Sequence, residues 1–153
     1  MRKILAAMVL LAVSITQSAT AHSYKIGAIE IGHAWARATA ANAPTASVYV
    51  PFLNEGKEAD TLIGADTPVA TTAMLHESTE ENGIAKMRML DKLELAPGKP
   101  VAMRPGGKHF MLMGLKHQLN EGDKFSLTLH FAKAGNIEIQ VMVHAPGAQS
   151  PSH

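Results

Sequence analysis

Lys124-Phe125-Ser126-Leu127-Thr128-Leu129-His130-Phe131 alternates without a break: Phe125, Leu127, Leu129 and Phe131 point one way, and Lys124, Ser126, Thr128 and His130 the other. A period of two marks a strand with one face in a core and one in water. Working outward, the same signal predicts short strands near Ile26 to Ile31, Ala46 to Leu53, Thr61 to Ala65, Ala70 to Glu77 and Ile84 to Leu90. Further strands are predicted near Leu93 to Leu95, Val101 to Arg104, Lys108 to Leu115 and Ile137 to Val143. Between them lie Asn54-Glu55-Gly56, Asn82-Gly83, Pro97-Gly98, Pro105-Gly106-Gly107, Glu121-Gly122-Asp123 and Gly135-Asn136, whose residue types supply turns and positive φ. No long stretch carries the 3.6-residue apolar period of a helix, so the expected fold is an all-β sandwich of a single domain.

The first residues read differently. Arg2 and Lys3 precede a nearly unbroken apolar run from Ile4 to Ile15, and Ala19-Thr20-Ala21 offers the small residues a signal peptidase reads. Residues 1–21 are therefore expected to be a signal peptide cleaved after Ala21, followed by a β-sandwich domain from residue 22 to 144 and a disordered Pro-, Ser- and Gly-rich tail from 145 to 153. The apolar run falls short of the ~20 residues a membrane span needs, so no membrane insertion of the mature chain is expected. Without Arg2 and Lys3, twelve basic residues face thirteen acidic ones. That balance offers no basic patch for nucleic acid. The chain has no cysteine, which excludes a disulfide framework and thiol chemistry of its own.

Chemistry enters with His76, Met87, His109 and Met111. Asn82-Gly83 sits between the strands carrying His76 and Met87, so the two should form an antiparallel hairpin. If paired residue numbers sum to 163, His76 faces Met87 directly; if Asn82-Gly83 is a two-residue turn the sum is 165 and Met87 is a diagonal neighbour. Both registers leave the pair on one face, within reach of a shared ion. His109 and Met111, two apart, share a face of a third strand, close to the Pro105-Gly106-Gly107 turn. Imidazole plus thioether is a soft, neutral donor set that suits Cu(I), and the missing thiolate argues for transport or storage over blue-copper electron transfer. Met74 and Met89 are the next thioethers beside this set, while Met89, Met103, Met113 and Met142 are each accounted for as core filler. His33, His117, His130, His144 and His153 read as surface residues, and Glu77, Glu80 and Glu81 as a solvated turn.

Several segments carry a family resemblance: Trp35-Ala36-Arg37-Ala38-Thr39, Asp60-Thr61-Leu62-Ile63, Met74-Leu75-His76-Glu77, Lys86-Met87-Arg88 and, above all, Arg104-Pro105-Gly106-Gly107-Lys108-His109-Phe110-Met111-Leu112-Met113-Gly114-Leu115. Over Gly27 to Val143 the chain resembles the PCu(A)C family of periplasmic copper chaperones, whose His, Met, His, Met spacing it matches at every interval. The resemblance implies a cupredoxin-like Greek-key β-sandwich or barrel, a Cu(I) ion held by His76, Met87, His109 and Met111, a periplasmic location and no enzymatic activity. It also implies delivery of copper to the binuclear centre of cytochrome c oxidase. The expected partner is a copper acceptor, either that oxidase's copper subunit or a thiol-containing copper assembly protein, and the chain is expected to be a monomer. Two departures stand out: Lys108 precedes the second histidine where many relatives carry a bulky residue, and the long His- and Met-rich C-terminal extension of some members is missing.

Two other classes compete. A copper-dependent redox enzyme would use His22, which becomes the N-terminal residue after cleavage and offers an amine and an imidazole together. A weak Cu(II) or zinc site from His22, His144 and His153 is one more combination. A metal-free β-sandwich would use the methionines as an apolar protein-binding surface.

Overall fold

The computed structural model describes residues 23–151, so the expected signal peptide, His22 and the last two residues lie outside it. Thirteen strands follow one another: β1 (Tyr24–Ile26), β2 (Ile29–Ile31), β3 (Ala34–Arg37), β4 (Thr45–Tyr49), β5 (Pro51–Asn54), β6 (Asp60–Asp66), β7 (Ala70–Glu81), β8 (Ile84–Met89), β9 (Leu93–Leu95), β10 (Val101–Ala102), β11 (Lys108–Leu115), β12 (Lys124–Phe131) and β13 (Gly135–His144). The described residues contain no helix, and the all-β expectation holds.

Strands β7, β11, β4, β3, β13, β12 and β6 are hydrogen-bonded in that order, and β6 returns to β7 through the Ala65–Ala73 pair, closing a seven-stranded barrel. β8 extends the sheet beyond β7, β9 extends it beyond β6, and a small sheet in the order β1-β2-β5-β10 lies alongside. All strand pairs are antiparallel except β13 with β3. The alternation that began the sequence reading is the barrel's inner wall. Phe125, Leu127, Leu129 and Phe131 are buried with Phe110 and Leu112 of β11 and Ile139 and Val141 of β13.

Three local differences from the expected strands have physical causes. The segment Ile26 to Ile31 is a hairpin, not one strand, because Gly27 takes a φ of +54° and turns the chain. The segment Ala46 to Leu53 divides at Val50, where the chain leaves the barrel for the small sheet. Strand β3 carries no alternation to detect, since Ala34, Trp35 and Ala36 are all buried: both of its faces are covered. In the segment from Ala145, expected to be disordered, the Ala148 carbonyl accepts from Arg37 Nε at 2.6 Å and Ala148 packs against the core.

Asp60, at the start of β6, is a buried carboxylate with full local compensation. Its Oδ1 accepts from the Thr61 and Lys133 amides at 2.7 and 2.9 Å, and its Oδ2 from the Ala134 amide at 2.8 Å. Burial opposes the charge, but these three N–H donors outweigh it and hold the carboxyl below its ordinary range. The carboxylate thus ties the β12–β13 turn to the strand beside it. Asp60→Ala leaves those amides without their acceptor and is expected to cost about 2 kcal/mol in urea unfolding; an unchanged midpoint would contradict this role.

Candidate metal centre

The β7–β8 hairpin closes on two residues with left-handed backbone, Asn82 at φ 53° and Gly83 at φ 76°. Two positive φ values in a two-residue loop suit the twist of the strands they join. Paired numbers sum to 165, so of the two expected registers the structure adopts the one from the two-residue turn: Ser78 faces Met87 and His76 faces Met89. Met87 is therefore diagonal to His76, and Met89 is directly opposite it.

β11 lies on the other side of β7. His109 pairs with His76, Met111 with Met74 and Met113 with Thr72. Side chains directly across paired strands share a face, so one face of the three-strand patch collects His76, His109, Met74, Met87, Met89, Met111 and Met113. Leu75, Phe110 and Leu112 alternate with them and fill the barrel core. The reading of Met103 as core filler holds, at 5% exposure. Met89 and Met113 differ from it, being 60% and 42% exposed. β8 is an edge strand paired with β7 alone and has no layer above it, and Met113 points out of the barrel, so packing does not account for either side chain.

The two imidazoles are held differently. Gly107 O accepts the Ser78 amide at 3.0 Å and lies 3.0 Å from His109 Nδ1, which therefore carries the proton. That leaves His109 Nε2 as the lone-pair nitrogen. It is buried without a hydrogen-bond partner among the described residues, and so is His76 Nδ1. The rings meet edge-on with centroids 5.9 Å apart. Behind His109 stand Tyr49, at 6.4 Å between ring centroids, and then Trp35, at 4.6 Å from Tyr49. Burial, and next the neighbouring His109, lower the His76 pKa below its ordinary 6.5, which keeps the ring neutral and available as a donor. Among the described residues no group of three or more His, Cys, Asp or Glu side chains is arranged to hold a metal. A centre of more than two protein donors on this face must draw on the thioethers.

Residues 29–143 match the family model described as "Putative lipoprotein LpqE-like", which is the PCuAC family. The chain belongs to this family. Among curated proteins it is 29% identical over 133 residues to "Putative lipoprotein Lxx21020" of Leifsonia xyli subsp. xyli, covering 86% of this chain and 79% of that one. It is 27% identical over 108 residues to "Uncharacterized protein RP573" of Rickettsia prowazekii, covering 68% of this chain and 60% of that one. Among solved structures, the copper-bound PCuAC domain from PmoF2 superposes with a TM-score of 0.70 at 30% identity, over 82% of this chain and 99% of that one. The solution structure of CuI-DR1885 from Deinococcus radiodurans gives a TM-score of 0.63 at 27% identity, over 88% and 87% of the two chains. The expected cupredoxin-like barrel is the fold of these neighbours.

In this PCuAC chain the four expected site residues all lie on the one face described above. His22, on which the oxygenase-like alternative depends, lies outside the described residues, as does His153. His130 carries out part of its surface reading: it leans on Asp66 through Nε2, and bonding to Asn136 first, then to Asp66, raises its pKa. His33 and His144 depart from that reading. They meet each other, and His144 is buried. No local pattern announces a pairing of residues so far apart in sequence.

Glu77 departs from its expected place in a solvated turn. It is no solvated turn residue but sits, 16% exposed, between Arg88 of β8 and Lys108 of β11, the two residues paired with it across the sheet. Arg88 Nε donates to Oε2 at 2.9 Å and Lys108 Nζ lies 3.0 Å from Oε1. Lys108 thus does more than alter local charge. The triad bonds three strands in register one residue away from His76, His109 and Met89. Hydrogen bonds from Arg88, then Lys108, hold the Glu77 carboxyl below its ordinary 4.5. A depressed carboxyl stabilises the fold at pH values above 4.5, and that contribution fades as pH falls through the lowered value. Glu77→Gln is expected to lose about 1 kcal/mol at pH 7, with the difference from wild type shrinking below pH 4 in chemical unfolding; a difference independent of pH would contradict the triad.

Proposed function

We propose that this protein is a periplasmic chaperone for Cu(I), holding one ion through His76, Met87, His109 and Met111 and passing it to an acceptor. The observation that carries the reading is a pair of buried imidazole nitrogens, each lacking a hydrogen-bond partner among the described residues, on a face with five methionines. A buried donor atom left unsatisfied is costly. A soft monovalent metal relieves that cost, and thioether and imidazole are the donors it favours. Copper-bound relatives of the same fold support the metal, and the Cu(I) form of one supports its oxidation state. The barrel is also consistent with a carrier: the two histidines are fixed by the sheet, and the methionines lie toward solvent.

Release follows from this asymmetry. Met87 is 53% exposed on an edge strand, so an incoming thiolate from an acceptor can replace its sulfur while the histidines still hold the ion. Copper then moves by ligand exchange and is never free in water. Four neutral donors leave only the ion's single positive charge, which an anionic thiolate neutralises. The acceptor is a cysteine-bearing copper protein, since this chain has no thiol. By family resemblance, the route ends at the binuclear copper centre of cytochrome c oxidase, directly or through a thiol-containing assembly protein.

The exposed methionine face also suits an apolar contact surface for a protein that carries no metal, and one titration separates the two readings. With Cu(I) supplied anaerobically from a chromophoric chelator, the Met87→Leu, Met111→Leu double variant is expected to lose about two orders of magnitude in affinity, ~3 kcal/mol. Met89→Leu is expected to change it much less, and all variants should unfold like wild type because Met87, Met89 and Met111 all lie outside the buried core. Undiminished affinity in the double variant would sink the ligand assignment.

A further inference from the structure

We propose that His33 and His144 form a second metal site, for an imidazole-seeking divalent ion such as Zn(II) or Cu(II), separate from the methionine face. His33 lies in the two-residue link between β2 and β3, and His144 is the last residue of β13. Their Nε2 atoms approach to 3.3 Å, with ring centroids 5.6 Å apart and planes inclined by 54°. Two metal–imidazole bonds of ~2.0–2.1 Å meeting at a tetrahedral angle set their nitrogens about 3.3–3.4 Å apart. A nitrogen donor hydrogen-bonds most often at ~2.9–3.0 Å. The observed spacing suits two ligands on one ion.

The rest of the setting agrees. His144 is 8% exposed, its ring stands edge-on to Trp35 at 6.0 Å, and its carbonyl accepts the Ala38 amide at 2.8 Å. One ligand is thereby fixed in place before any ion arrives, and little ordering is left to be done on binding. Beside His33 is a small pocket of about 60 Å³ lined by Tyr24, Lys124, Gln140 and Met142. That volume admits an ion with a water. Met142, two residues before His144 on the same strand, shares its face and brings a thioether to the pocket wall. Among the described residues no carboxylate lines the pocket, which argues against Ca²⁺ or Mg²⁺. Lys124 opposes a cation there, so the site binds less tightly than one with an acidic ligand. Trp35 and Tyr49 stand between this pair and His109, and the two metal sites fill independently.

The test uses Zn(II) on the mature chain in a His76→Ala background, which takes one of the two imidazoles from the methionine face and leaves His109 as the single nitrogen donor there. One zinc equivalent is expected to remain in His76→Ala and to vanish when His33→Ala is added. In ¹⁵N-labelled wild type, the Nε2 resonances of His33 and His144 should shift together as zinc is added. Zinc binding that survives His33→Ala, or ring shifts confined to His76 and His109, would overturn the proposal. So would the absence of any zinc-induced shift, which would leave the pair as a hydrogen bond. The NMR experiment decides even if the His33→Ala protein folds poorly, since it needs no substitution.

Discussion

Everything at the candidate centre depends on the register between β7 and β11. His76 pairs with His109 because Glu77 pairs with Lys108 on one side and Arg88 on the other, and because Gly107 O accepts both the Ser78 amide and the proton of His109. A slip of β11 by one residue would turn Phe110 and Leu112 outward and His109 into the core. The apolar core and the donor face therefore specify each other. Burial of Phe110 and Leu112 is what forces His109, Met111 and Met113 to the outside.

The turn Pro105-Gly106-Gly107 has a related task. Gly106 has a φ of +78°, a conformation that a side chain would strain, and this lets the chain reverse so that the next carbonyl points at both β7 and the His109 ring. A carbonyl that accepts Nδ1–H selects the tautomer whose other nitrogen is a donor to metals. Backbone geometry in a turn thus sets the chemistry of a side chain two residues later.

What could be read in the sequence was whatever has a short period. The alternation in β12, the Asn82-Gly83 turn, the shared face of His76 and Met87 and that of His109 and Met111 all follow from spacing within a hairpin or a single strand, and the choice between the two hairpin registers needed only the turn type; the β7–β11 pairing that unites the two pairs does not follow from such spacing. What could not be read depends on contacts between distant segments. β3 is hidden because Ala34, Trp35 and Ala36 are buried on both sides. Met89 and Met113 look like core residues by type and are exposed because no layer covers β8 and the outer face of β11. Glu77 looks like a loop carboxylate until Lys108 is brought beside it, and His33 and His144 are 111 residues apart.

The central claim is that a soft metal sits on this face with two nitrogen and two sulfur donors. X-ray absorption at the copper edge of the protein loaded with a single Cu(I) equivalent tests it most directly. The account expects nitrogen and sulfur scatterers in equal number around copper, with the sulfur contribution reduced in Met87→Leu. A first shell of nitrogen and oxygen alone, unchanged by that substitution, would contradict it.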